Sequence, residues 1–159
     1  MSKRKEMQRF MRAYKDETGE REIDMHEIAR FAVERGWPLP RPSDPIDLLA
    51  RQFTQAAHDE IRYDAVTGKP YRANHALPVQ IGQLSLFVWI DIDEATRPQI
   101  LKSTVKRREQ MVDDGYQLTL DLDHWNRAHP DEEPIDLPMD LTPDIEWRKN
   151  TPDDDEKAA

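Results

Sequence analysis

Apolar residues recur every three or four positions in the first third of the chain, a spacing typical of amphipathic helices. The first stripe predicts a helix over residues 3–15 and consists of Met7, Phe10, Met11 and Tyr14. A second helix is predicted to start at Asp24, where Glu27 completes the spacing of a capping box, and to end at Gly36. A third is predicted from about residue 45 to residue 60, with an inward face of Ile46, Leu49, Ala50, Phe53 and Ala57.

The middle of the chain changes to strand spacing and then returns to helix. Two short alternating runs flank the turn residues 67–70, which predicts a β-hairpin. The run 84–90 is rich in β-branched and aromatic residues and predicts a buried strand. Thr96 and Gln99 form another capping box, predicting a helix that Gly115 ends. A last short helix is predicted over residues 121–128.

The C-terminal part carries a proline every four or five residues between positions 130 and 143. This density opposes helix and central strand, so we expect residues 131–150 to be extended. Apolar residues alternate there, including Ile135 and Leu137, and could rest in an apolar groove. Trp125 and Trp147 either dock back on the domain, which we favour, or anchor a partner.

Together these elements predict an α+β fold that is mainly helical. Residues 1–80 form a helical half with a β-hairpin, and residues 81–130 add a strand and helices packed on that half. An extended acidic segment follows over residues 131–150. We expect residues 151–159 to be a disordered acidic tail, because they contain no apolar anchor.

Charge is distributed unevenly along the 159 residues. The net charge is −9 in total, but residues 1–75 balance near +1 and residues 76–159 hold −10. This distribution disfavours nucleic-acid binding over the whole surface, because the second half would repel phosphates, whereas binding by the first half is allowed. No cysteine, signal peptide or membrane-length apolar run is present, so we expect a cytoplasmic protein without disulfides and without membrane contact.

The order helix, helix, connector, helix, hairpin resembles the winged helix-turn-helix family over roughly residues 5–78. Residues 24–32 would be the supporting helix, residues 46–60 the recognition helix and residues 61–77 the wing. The resemblance implies that the third helix enters a major groove of double-stranded DNA, using residues 46–75 in all. Base edges would be approached by Arg51, Thr54, Gln55 and His58, and phosphates by Lys69 and Arg72.

Two departures from that family are visible in the connector and at the helix start. The connector 36–45 is long and rich in proline, where a tight turn is usual. Asp47 near the start of the third helix favours the helix dipole but opposes a phosphate.

Other functions compete with a small DNA-associated regulatory protein. A protein–protein adaptor would use residues 130–148, with Trp125, Ile135, Leu137 and Trp147 as contacts, and a homodimer is a further expectation. An acidic nucleic-acid mimic and a metal-dependent nuclease are weaker alternatives, the latter because Asp91, Asp93 and Glu94 follow a strand. No nucleophile elbow, glycine-rich phosphate loop or convergent histidine cluster is present, so we predict no catalytic residues, no cofactor and no metal site.

Overall fold

The computed structural model describes residues 2–152 and has an α+β fold with five helices and two antiparallel hairpins in that range. The predicted α+β, mainly helical class is confirmed. The chain divides into two compact units, of which the first ends at Arg51 and the second begins at Gln52. Of the predicted tail 151–159, residues 153–159 lie outside the described part of the chain.

The first unit contains α1 (Lys3–Thr18), α2 (Met25–Glu34) and the start of α3 (Pro45–Asp59). Ser2 caps α1 by accepting from the Lys5 N–H, and Asp24 caps α2 by accepting from the His26 N–H at 2.8 Å. Gly19 ends α1 in the left-handed region, at φ +72°, where a side chain would be strained. The three predicted helices are therefore confirmed.

A small aromatic cluster holds α1 against α2. Phe10 lies 5.7 Å from Phe31 between ring centroids, and Tyr14 meets the same ring edge-on at 5.0 Å. Trp37 follows α2 and closes the cluster against Phe10 at 5.3 Å. The Arg35 guanidinium lies over the outer face of the Phe31 ring, 3.6 Å from its centroid. The first unit is thus stabilised mainly by aromatic packing between the two helices.

The second unit is built on two consecutive hairpins. The first pairs β1 (Ile61–Tyr63) with β2 (Pro70–Arg72), and its turn is closed by Asp64, whose carboxylate accepts two backbone N–H groups. This is the predicted hairpin, and it is confirmed. The second pairs β3 (Asn74–Ile81) with β4 (Leu84–Asp91) around a two-residue turn. Ala73, between the hairpins, is fully buried.

Two predictions for the second hairpin are wrong. Residues 74–77 were assigned to the wing, whereas they begin β3, which pairs with β4 over its whole length. Pro78 fits within β3 because its partner, Phe87, occupies a position where no hydrogen bond joins the two strands. Strand β4 is not buried, since most of its side chains stay exposed on a sheet of only two strands.

One long helix, α4 (Arg97–Ala128), replaces the two helices predicted for this region. Its start at the capping box of Thr96 and Gln99 is confirmed. Gly115 does not end the helix but lies within it, and a Cβ there would come 3.0 Å from the Met139 Cε atom. Glycine at position 115 therefore leaves room for the returning chain. Ser103 anchors α4 to β3, because its buried hydroxyl donates to the Ala76 carbonyl at 2.6 Å.

The segment after α4 is extended only in its first part. Residues 131–141 lack regular structure apart from a turn at the start, whereas α5 (Thr142–Asn150) is a helix where we predicted extended chain. Pro143 lies in the first turn of α5, the one place where a helix tolerates proline. The prediction of an extended chain is thus wrong for residues 142–150.

The apolar face of α3 is also placed differently from the prediction. Ile46, Leu49 and Phe53 were expected to point inward, but their side chains are between 49% and 73% exposed. Spacing alone identifies which residues share a face and does not determine whether that face is covered.

Candidate functional site

The end of α3 and the return strand of the first hairpin meet through a chain of hydrogen bonds. Arg72 donates to His58 Nε2 at 2.8 Å, and His58 Nδ1 lies 3.1 Å from the Asp59 carboxylate. Gln55, one turn earlier, donates to the same carboxylate at 2.9 Å. Three of the six predicted nucleic-acid contacts, Gln55, His58 and Arg72, are therefore brought together.

The hydrogen bonds of this cluster fix its chemistry. A guanidinium can only donate, so His58 accepts at Nε2 and carries its proton on Nδ1, facing Asp59. The hydrogen bond from Gln55, followed by that from His58, lowers the pKa of Asp59 below its usual value. Asp59 therefore stays ionised and offsets part of the Arg72 charge at the same surface.

The other three predicted contacts are Arg51, Thr54 and Lys69. Lys69 ends the turn of the first hairpin, and its ammonium donates to the Lys149 carbonyl at the end of α5. Thr54 is exposed on α3. Arg51 is exposed on the same helix but belongs to the first unit.

Arg62, which was not among the predicted site residues, lies within 4 Å of three carboxylates in the second unit. Its guanidinium binds both oxygens of Asp91, at 2.8 and 2.7 Å, and reaches Asp93 at 2.8 Å. These bonds raise the pKa of Arg62 and lower that of Asp91. Tyr71 also donates to Asp93, at 3.0 Å, which raises the pKa of the tyrosine. Only the opposite charges of residues 62 and 91 could have suggested this pair.

The metal alternative finds no site in the part of the chain that the structure describes. No group of three or more potential ligand side chains is found among residues 2–152. Asp91 and Asp93, which carried the nuclease alternative, instead bind Arg62 and join the first hairpin to the end of β4.

A second candidate surface lies along α4, where the chain returns. A cavity of about 550 Å³ opens between the helix and residues 139–145. Its lining is mainly apolar and includes Met111, Val112, Tyr116, Met139, Leu141 and Ile145. Asn126 fixes the start of this return by exchanging two hydrogen bonds with the Ile135 backbone, each of 2.9 Å.

The four predicted protein contacts lie on or near this return segment. Trp125 stacks on the His129 ring, with centroids 3.6 Å apart, and is about half exposed. Ile135 and Leu137 are also about half exposed. Trp147 on α5 is 67% exposed, so the expectation that both tryptophans dock back on the domain is wrong for Trp147.

Comparison of the chain with protein-family models, with curated proteins and with solved structures found no match. Within residues 2–152, none of the helices combines the length and the apolar character needed to cross a membrane.

Proposed function

We propose that the protein is a non-catalytic, DNA-associated protein that uses the end of α3 and the first hairpin in the manner of a winged helix. The contact between Arg72 and His58 supports this proposal, because it holds the hairpin beside the third helix. Gln55, His58, Lys69 and Arg72 are exposed and would face the DNA, with Arg51 and Thr54 on the same helix.

The charges of this region predict weak binding. Residues 46–75 carry four lysine or arginine residues and four carboxylates. Arg62 is neutralised by Asp91 and Asp93, which leaves Arg51, Lys69 and Arg72 as the cations available to phosphates. Three phosphate contacts give a slope of about −2 to −3 for the logarithm of the binding constant against that of salt concentration.

A fluorescence anisotropy titration with a random-sequence duplex tests the proposal. We expect micromolar affinity at low salt that weakens with the slope given above. Replacing Lys69 or Arg72 with alanine should weaken binding several-fold and reduce the salt slope by about 1 each. Lys106→Ala is the matched control, because this cation lies on α4 beside Glu109, away from the cluster.

Two results would overturn the proposal. Binding that is absent at low salt leaves no DNA-associated function for this surface. An equal effect of Lys106→Ala and Arg72→Ala would mean that the duplex responds to total charge and does not contact the hairpin.

The groove along α4 supports a second candidate function, that of a protein–protein adaptor. Its apolar lining and the exposed Trp147 could hold an apolar segment of a partner protein. A photo-crosslinking residue at position 119, inside the groove, should give one discrete product in cells. The product should be absent from position 117, on the opposite side of α4, and should be lost in a Tyr116→Asp background.

A further inference from the structure

Strand β4 has a backbone edge that is open to pairing. The bond from the Ile92 N–H to the Ala73 carbonyl fixes the phase of the β3–β4 ladder. Alternation along an antiparallel pair then directs the N–H and C=O groups of Ser85, Phe87 and Trp89 away from β3. In residues 2–152 no third strand lies beside β4, because the sheet has two strands.

The opposite edge of the same hairpin is protected. Pro78 has no N–H to offer at the outer edge of β3, and the outward Ala76 carbonyl is taken by Ser103 of α4. The edge of β4 is not protected in this way, since residues 84–90 contain no proline and no charged residue. Natural sheets rarely leave an apolar edge strand without a proline, a charged side chain or a covering element.

The side chains of β4 are also incompletely covered. Leu84 is 64% exposed, Phe87 57% and Trp89 37%. A hairpin of two strands is marginally stable in water, whereas three or more strands sharing a hydrophobic face are stable. Pairing at the open edge would therefore stabilise the sheet and bury the flanks of these side chains against their cross-strand neighbours.

We propose that β4 pairs antiparallel with β4 of a second copy of this chain, giving a continuous four-stranded sheet across a two-fold axis. The open groups at residues 85, 87 and 89 are symmetric about Phe87. Phe87 would therefore face Phe87 of the second copy, and Ser85 would face Trp89 of the second copy.

The charges near the β4 edge and the area that pairing would bury are compatible with a second copy of the chain. The chain is strongly acidic, but the nearest carboxylate, Asp91, would face the uncharged Gln83 of the second copy and is already bound to Arg62. The exposed parts of Phe87 and Trp89 amount to roughly 100 Å² each. With the neighbouring aliphatic side chains the interface would reach on the order of 1,000 Å², the lower limit for a specific contact, so we expect a micromolar dimer.

Sedimentation of the full chain over a range of concentrations tests the pairing with two matched proline variants. Phe87→Pro removes an outward N–H from β4 without breaking a bond to β3, and should raise the dimer dissociation constant at least about tenfold. Gln80→Pro makes the same change on the outer edge of β3 and should leave the dissociation constant unchanged. A monomer at all concentrations, or equal effects of the two prolines, would overturn the proposal.

Single cysteines test the register, because the natural chain has none. Under mild oxidation Phe87→Cys should form a disulfide-linked dimer, since directly opposed residues bring their Cα atoms within disulfide range. Ser85→Cys and Trp89→Cys should each cross-link poorly alone but efficiently when the two variants are mixed. Equal cross-linking of all three single variants would contradict the two-fold register. The measurements contain no nucleic acid, so their outcome is independent of the proposed DNA binding.

Discussion

Replacing Gly115 with alanine sets helix propensity against the packing of the returning chain. Glycine within a helix costs about 1 kcal/mol relative to alanine, because it loses more backbone freedom on folding. The new Cβ, however, would lie 3.0 Å from Met139 Cε, closer than the usual contact between carbon atoms. Met139 ends in a flexible thioether and is 40% exposed, so it can move away at a partial cost. We expect a net stabilisation of about 0.5 kcal/mol or less.

A double-mutant cycle separates the two effects. In a Met139→Ala background nothing opposes the new methyl group, so Gly115→Ala should recover about 1 kcal/mol. The difference between the two backgrounds, about 0.5 kcal/mol or more, measures the contact between residue 115 and Met139.

Urea unfolding followed by helical circular dichroism gives the required free energies. Gln117→Ala on the opposite side of α4 is the control and should have the same effect in both backgrounds. Equal stabilisation by Gly115→Ala with and without Met139 would refute the reasoning. A destabilisation of more than about 1 kcal/mol in the natural background would show that Met139 cannot move.

Two further predictions concern the anchors of the second unit. Ser103→Ala leaves the half-buried Ala76 carbonyl without its donor, so we expect a loss of about 1 kcal/mol in urea unfolding; Thr104→Ala should stay within about 0.5 kcal/mol, and equal losses would contradict the argument. Because the Arg62 hydrogen bond lowers the pKa of Asp91, the stabilisation by this pair is present above the unfolded pKa and is lost as pH falls through the folded pKa. The thermal midpoint of the natural protein should fall below about pH 4, and Arg62→Gln should make this fall smaller. Identical pH profiles of the two proteins would exclude the Arg62–Asp91 pair as a cause of the acid destabilisation.

Local patterns sufficed to predict most helices and the first hairpin. The stripe through Phe10 and Tyr14 and the caps at Asp24 and Thr96 act within a few residues, so a single sequence reveals them. The turn signal at residues 67–70 was recognisable for the same reason, since Gly68 acts locally at its positive φ, whereas the capping role of Asp64 emerged only from the structure.

The errors arose where distant residues determine the outcome. Gly115 resembles a helix end until Met139, 24 positions later, is seen to occupy the space beside it. Residues 74–77 were assigned to the wing, and only the register shows that they continue into β3, where Pro78 sits at a position of the ladder at which a missing N–H costs nothing.

The candidate site was partly accessible from the sequence. The pattern on α3 and the turn residues led to Gln55, His58 and Arg72, which the structure joins in one cluster. The pairing of Arg62 with Asp91 could not be predicted, because it depends on how the second hairpin folds back on the first.

The Asn126 side chain holds both backbone groups of Ile135, as a neighbouring peptide would in a sheet. These two hydrogen bonds close a short loop after α4. The returning chain therefore starts from a fixed point and loses little conformational entropy when it packs on the helix. Any shortened form that stops inside the loop would enlarge the exposed apolar surface around Met111 and Tyr116, which are already half exposed, and become prone to self-association. Expression boundaries should accordingly be kept beyond Asn150.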